Sequence, residues 1–173
     1  MRACRDATVT RSGIYKIDAK TRKVTPLATK AEGWPFCYPD DVAIDSSGNV
    51  YMTDLTYSGI WKISPDGKKV DLWSAHPLLN WSSKPYSVFD GIELDGKGNI
   101  YASEMLLNQI WVLSPDGSQR ILIANKGNAP LDNNTSLVLK GDVLCTANLG
   151  FAHAKPEEAD RTVVCMKGFP VPK

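Results

Sequence analysis

The sequence predicts an all-β fold made of repeated four-stranded antiparallel sheets. Three observations carry this: a repeat of about 46 to 50 residues, turn sequences at fixed places inside it, and short apolar runs on both sides of each turn. Sliding the chain by 50 positions lays Trp34 to Gly67 over Lys84 to Gly117 without a gap, and 12 of the 34 pairs are identical. Among them are Asp40/Asp90, Asp45/Asp95, Gly48/Gly98, Tyr51/Tyr101, Trp61/Trp111 and Pro65/Pro115. Val42/Ile92, Ile44/Leu94 and Asp54/Glu104 are conservative pairs. The period is that of a propeller blade and does not suit an ankyrin or tetratricopeptide unit.

The elements follow in order along the chain. Ser12-Gly13-Ile14-Tyr15-Lys16-Ile17 resembles Ser58-Gly59-Ile60-Trp61-Lys62-Ile63, so residues 13–18 and 23–28 read as the third and fourth strands of a partial unit. The first whole unit supplies four strands near 41–73. Val42-Ala43-Ile44 and Asn49 to Thr53 flank the tight turn Asp45-Ser46-Ser47-Gly48. Ile60 to Ile63 and Lys69 to Trp73 flank Ser64-Pro65-Asp66-Gly67, where Pro presets one turn angle and Gly supplies a positive φ. The second whole unit repeats this near 91–124. The last unit offers strands at 135–139, 142–146 and 161–166. Only residues 155–160 hint at a helical turn. The prediction is one partial β-propeller domain: a blade remnant at 12–28 and blades at 40–73, 90–124 and 135–167.

Composition narrows the functional classes. Lys+Arg 20 against Asp+Glu 19 leaves a net charge of +1, too little field to hold a nucleic acid or an anionic membrane. Hydrophobic residues at 43% and charged residues at 23% are ordinary for a globular chain and exclude general disorder. No apolar stretch is long enough to span a bilayer, and residues 1–6 carry no apolar core of a signal peptide; the compartment is left open. The four cysteines match no CxxC pattern. Cys145 and Cys165 fall on neighbouring strands, where two buried thiols are expected in preference to a disulfide. The two histidines, His76 and His153, have no zinc-ligand spacing, and no GxSxG, Walker A or GxGxxG occurs.

The stretch Phe89-Asp90-Gly91-Ile92-Glu93-Leu94-Asp95-Gly96-Lys97-Gly98-Asn99-Ile100-Tyr101 resembles a signature of the senescence marker protein/gluconolactonase group of six-bladed propellers, relatives of strictosidine synthase. The ending Val163 to Pro172 resembles that group's last strand and Gly/Pro-rich tail. The resemblance runs from about Ser12 to the end. Six blades of this size need roughly 290 residues. The chain of 173 therefore corresponds to about three to three and a half blades, the C-terminal half of such a propeller. NHL-repeat propellers share much of this strand-turn-strand pattern, so a non-catalytic NHL-type module that binds a ligand or a protein is the alternative.

Strand direction places candidate residues on one face. The start of each first strand, the end of each second strand and the connections between units share one end of the blades, called the top here. There lie Asp40, Asp41 and Asp54, then Asp90 and Glu104, then Asn134 and Asn148. The connections add Trp34, Tyr38, Trp81 and Tyr86. Carboxylates and aromatics around the mouth of a toroid suit a small-molecule ligand. The resemblance implies a divalent cation, calcium or another, at the top of the channel. It places Asp90 where the family has an Asp ligand and Asp40 where it has an Asn; the family's first-blade Glu has no counterpart here. It also implies lactone or ester hydrolysis, with Asp90 or Glu104 accepting the proton of water. Asp41, Asp54, Trp34, Tyr38, Trp81, Tyr86, Asn134 and Asn148 would contact the ligand.

Plainer readings stand beside these. Asp40 and Asp90 each precede a strand and could bond turn backbone. Asp54 and Glu104 could be solvated carboxylates facing a wet channel. Trp61 and Trp111, mid-strand among apolar neighbours, are packing residues between blades. An open arc leaves raw blade faces and strand edges. The first unit lacks its inner two strands and the last offers them, so a homodimer completing a six-bladed ring is expected, with the third strand near 161–166 left over.

Overall fold

The computed structural model describes residues 12–55, 59–75, 88–124, 130–151, 157 and 161–168. All of the regular structure there is β. The strands are β1 (Ile14–Ile17), β2 (Val24–Ala28), β3 (Lys30–Ala31), β4 (Trp34–Pro35), β5 (Pro39–Ile44), β6 (Val50–Asp54), β7 (Gly59–Ile63), β8 (Val70–Ala75), β9 (Phe89–Leu94), β10 (Ile100–Glu104), β11 (Gln109–Leu113), β12 (Gln119–Ala124), β13 (Asn134–Lys140), β14 (Val143–Asn148) and β15 (Val163–Lys167). Among the described residues, no helix is long and apolar enough to cross a membrane.

Two antiparallel meanders, β5-β6-β7-β8 and β9-β10-β11-β12, are the two whole blades. A two-stranded ribbon, β1-β2, precedes them and a three-stranded sheet, β13-β14-β15, follows. The inner strands β5, β9 and β13 lie side by side, β9 packed against both others. The small hairpin β3-β4 folds within the connection that leads to β5. Its two-residue strands gave no periodic signal in the sequence. The proposed helical turn lies outside the described residues except at residue 157.

The turns explain why the meanders form. Asp45 Oδ1 accepts the backbone N–H of Ser47 and Asn49, both at 2.9 Å, and its Oδ2 accepts Asn49 Nδ2 at 2.8 Å. Asp95 repeats this with Lys97 and Asn99. Gly48 and Gly98 close these turns at φ 81° and 85°, a region glycine enters without a Cβ penalty. Burial pushes the Asp45 carboxyl up, but the bonds from Asn49, Ser47 and Tyr51 outweigh it and hold it below the usual carboxylate range.

Three apolar clusters fill the gaps between sheets. Val50, Met52, Trp61 and Ile63 pack against Ile14 and Leu27; Tyr51 and Ile60 meet Phe89, Ile92 and Trp111; Tyr101, Ile110 and Val112 meet Leu137 and Leu144. Trp61 and Trp111 are 3% and 8% exposed, so both pack between sheets as expected. Each also meets a phenylalanine edge-on: Phe36, in the connection before β5, at 5.9 Å from Trp61, and Phe89, at the start of β9, at 6.0 Å from Trp111.

The expectation of two buried thiols is corrected. Cys145 and Cys165 form a disulfide across β14 and β15, where they are direct partners in the ladder. Neighbouring strands alone do not decide this; the register does, because only directly opposed cysteines bring their sulfurs together. Cys37 is disulfide-bonded as well.

Candidate functional site

The top of the blades is built by three repeats of one local device. The last residue of each second strand turns its side chain back to the backbone entering the first strand. Asp54 Oδ2 accepts the N–H of Cys37 at 3.2 Å, Glu104 Oε1 that of Val88 at 3.2 Å, and Asn148 Oδ1 that of Asp132 at 3.1 Å. Glu104 Oε2 also accepts the N–H of Leu107, and Asn148 Nδ2 donates to Pro130 O at 2.6 Å. These connections would otherwise leave backbone donors unsatisfied in a buried place.

This corrects the picture of Asp54 and Glu104 as solvated carboxylates: both are 0% exposed. The physical reason is that a strand-end carboxylate finds N–H donors of the adjoining loop before it finds water. Their role as loop ties has a sequence signal only in hindsight, in the recurrence of Asp, Glu and Asn at one place of the repeat.

Asp40 and Asp90 start β5 and β9 at equivalent places, Asp40 exposed and Asp90 half-buried. Burial, a hydrogen bond with Asp40 and the negative charges of Asp40 and Asp41 push the Asp90 carboxyl up to about 8. Asp90 therefore stays largely protonated at neutral pH. Asp41 is committed otherwise. Its Oδ2 accepts the N–H of Ile92 at 2.9 Å, tying β5 to β9, and its Oδ1 accepts that of Val42 at 2.8 Å. Burial, then the charge of Asp41, raises the Glu93 carboxyl on the neighbouring strand; a bond from Leu94 opposes the shift.

Thr135 holds the corresponding place in β13, where Ser103 Oγ donates to its carbonyl and to that of Gly91. Asn134 is fully buried and its Nδ2 donates to Gln109 O at 2.8 Å, while its Oδ1 has no hydrogen-bond partner in the structure. Trp34, in β4, is 44% exposed and Tyr38 is 67% exposed, so both present ring surface to solvent on the way into β5. Trp81, Tyr86, His76 and His153 lie outside the described residues. Asn133, beside Asn134 on the same face, has a φ of 50°, and its bonds to Asn108 and Met105 brace the entry to β13.

The fit to a divalent cation can be judged from the pair itself. The carboxyls of Asp40 and Asp90, which interact electrostatically at the starts of β5 and β9, are the oxygen donors the site offers a divalent cation. Among the described residues no group of three His, Cys, Asp or Glu side chains gathers to hold a metal. A cation held by Asp40 and Asp90 would need its remaining oxygen ligands from backbone carbonyls, water or other groups.

No family model matches the chain, and no curated protein matches it. Solved structures do. Regucalcin of Agrobacterium tumefaciens, a calcium-binding protein, is 16% identical with a TM-score of 0.59, over 82% of this chain and 46% of that one. A luciferin-regenerating enzyme is 15% identical with a TM-score of 0.61, over 91% and 54%. A catalytically inactive virginiamycin B lyase of Staphylococcus aureus, solved with quinupristin, is 20% identical with a TM-score of 0.53, over 86% and 46%. The chain spans about half the length of these structures. Its sheets are thus part of a β-propeller, and the fold is the one seen in propellers of the senescence marker protein/gluconolactonase type.

Proposed function

We propose that the chain is the cation-binding part of a gluconolactonase-like propeller that hydrolyses a lactone or ester. The observation that supports this best is the Asp40–Asp90 pair, two interacting carboxyls at the top of adjacent inner strands, where Asp90 resists ionisation. Such a pair is costly without a proton or a cation between its oxygens. Asp40 and Asp90 would hold calcium or another divalent ion, which when bound supplies a Lewis acid for the carbonyl and lowers the pKa of water. Trp34 and Tyr38 offer exposed aromatic faces to the ring of the substrate. Glu104 sets the position of Val88, two residues before Asp90, through its hydrogen bond.

The second reading, a propeller that binds a ligand without catalysis, is favoured by the engagement of both Glu104 oxygens with backbone donors. A base needs a lone pair aimed at water. Calcium titration separates cation binding from its absence: millimolar calcium is expected to raise the melting temperature by mass action. No shift in a folded sample removes the cation site. A shift without turnover of simple lactones leaves the binding reading.

A further inference from the structure

A cavity of about 350 Å³ opens at the end of the blades opposite the Asp40–Asp90 pair, between the turn after β5 and the turn after β9. That is the size of a small-molecule site. Asp45, Ser46, Ser47 and Lys62 of the first whole blade face Lys97 and Pro115 of the second across it. Both blades that form it are whole within the chain, and neither Asp40 nor Asp90 lines it.

Lys62 departs from the repeat. It stands opposite Tyr51 in the ladder, as Val112 stands opposite Tyr101 one blade later. Val112 is 1% exposed and closes its junction as an apolar side chain packed with Tyr101. Lys16 holds the place of Lys62 in β1, and its Nζ donates to Pro65 O of the next blade at 2.6 Å. Lys62 has no such bond to Pro115. It is half-buried, and its Nζ lies 5.1 Å from the centre of the Tyr51 ring.

Among the described residues no carboxylate neutralises this ammonium. Asp71, opposite it on β8, pairs with Lys69 at 3.0 Å. Asp45 has both oxygens engaged within its own turn, by Ser47, Asn49 and Tyr51. An ammonium drawn partly out of water without a counter-ion favours an anion beside it. The cavity thus presents donors, the Lys62 ammonium and the hydroxyls of Ser46 and Ser47, with a second positive charge at Lys97, while its one carboxylate is already taken.

We propose that this cavity binds the phosphate group of a small phosphorylated molecule, on Lys62 and the hydroxyls of Ser46 and Ser47. Lysine meets phosphate as a point charge, and a phosphate accepts from more donors than a carboxylate does. The site is separate from the cation pair, so the two readings stand or fall independently.

Isothermal titration of metal-free protein with inorganic phosphate and with glucose 6-phosphate is expected to show one saturable site that weakens as salt rises. Gluconate, which carries a carboxylate in place of the phosphate, is expected to bind more weakly. Lys62→Met keeps the stem over Tyr51, and Val112 shows that an apolar side chain suits this place; the variant is expected to lose about tenfold or more in affinity, the worth of one hydrogen bond to a charged group. Lys62→Arg is expected to retain binding. Ser46→Ala with Ser47→Ala, both exposed, is expected to weaken it with the melting temperature unchanged. Lys140→Met removes an exposed lysine of another blade at the same end and is expected to change nothing. Absence of saturable binding overturns the site, as does a Lys62→Met variant that binds like the parent chain or an equal loss in Lys140→Met, which would mean diffuse charge alone. Gluconate binding as tightly as glucose 6-phosphate overturns the assignment to phosphate.

Discussion

Asp90 meets the negative charge of Asp40, its counterpart 50 residues earlier in the repeat, across the starts of β5 and β9, and burial together with the carboxyls of Asp40 and Asp41 pushes the Asp90 carboxyl up to about 8. The folded chain thus holds a proton that the unfolded chain releases near the ordinary aspartate value of 3.8. A folded value raised to about 8 means that the native state binds more protons between those limits. Stability then falls as pH rises from about 4 to 8 in metal-free protein. Calcium competes with that proton, so its apparent affinity is expected to rise about tenfold per pH unit below 8 and to level off above it. Calorimetric titration at several pH values checks this; a flat profile contradicts a site made of this pair.

Asp90→Asn removes the charge but keeps the shape. Without metal it is expected to abolish the fall in stability between pH 4 and 8, and with calcium to remove the rise in melting temperature. Were Asp90 only a turn cap, the variant would lose about 0.5–2 kcal/mol and leave a calcium response unchanged. Thermal melts of one variant, with and without calcium, separate the outcomes.

Glu104→Ala leaves the N–H groups of Val88 and Leu107 without their acceptor in a buried place. The expected loss is about 1–3 kcal/mol per unsatisfied donor. Glu104→Gln keeps one acceptor oxygen and is expected to recover part of it. Chemical denaturation measures both; equal stability of the alanine variant and the parent chain would show that the tie contributes nothing.

A Cβ at Gly91 would meet Thr135 O at 2.6 Å and Ser136 Cα at 2.7 Å. Both contacts are backbone, so β9 and β13 must move apart. Gly91→Ala is expected to cost about 1–3 kcal/mol, as overpacking does. Gly96→Ala, with nothing within 4 Å, is expected to change stability little. The contrast is read from parallel denaturant melts.

The sequence by itself determined the blades, because their information is local and repeated. Asp45 and Asp95 bond backbone only two to four residues away, and Pro65, Gly67, Pro115 and Gly117 act within single turns, so spacing carries the structure. The short apolar runs on both sides of each turn then mark the strands. Trp61 and Trp111 were legible for the same reason: each lies mid-strand between apolar neighbours.

Only the tertiary structure decided what the polar residues at the top do. Asp54 and Glu104 look like channel carboxylates in the sequence, yet they point at N–H groups 17 and 16 residues back, which only the returning connection brings within reach. Cys145 and Cys165 could be thiols until register sets them opposite each other. Asp40 and Asp90 could be two independent strand-start residues until two inner strands lie side by side and their charges meet. Hydrogen bonding, disulfide formation and charge repulsion act over a few ångströms, and across 16 to 50 residues of chain that proximity is made by packing.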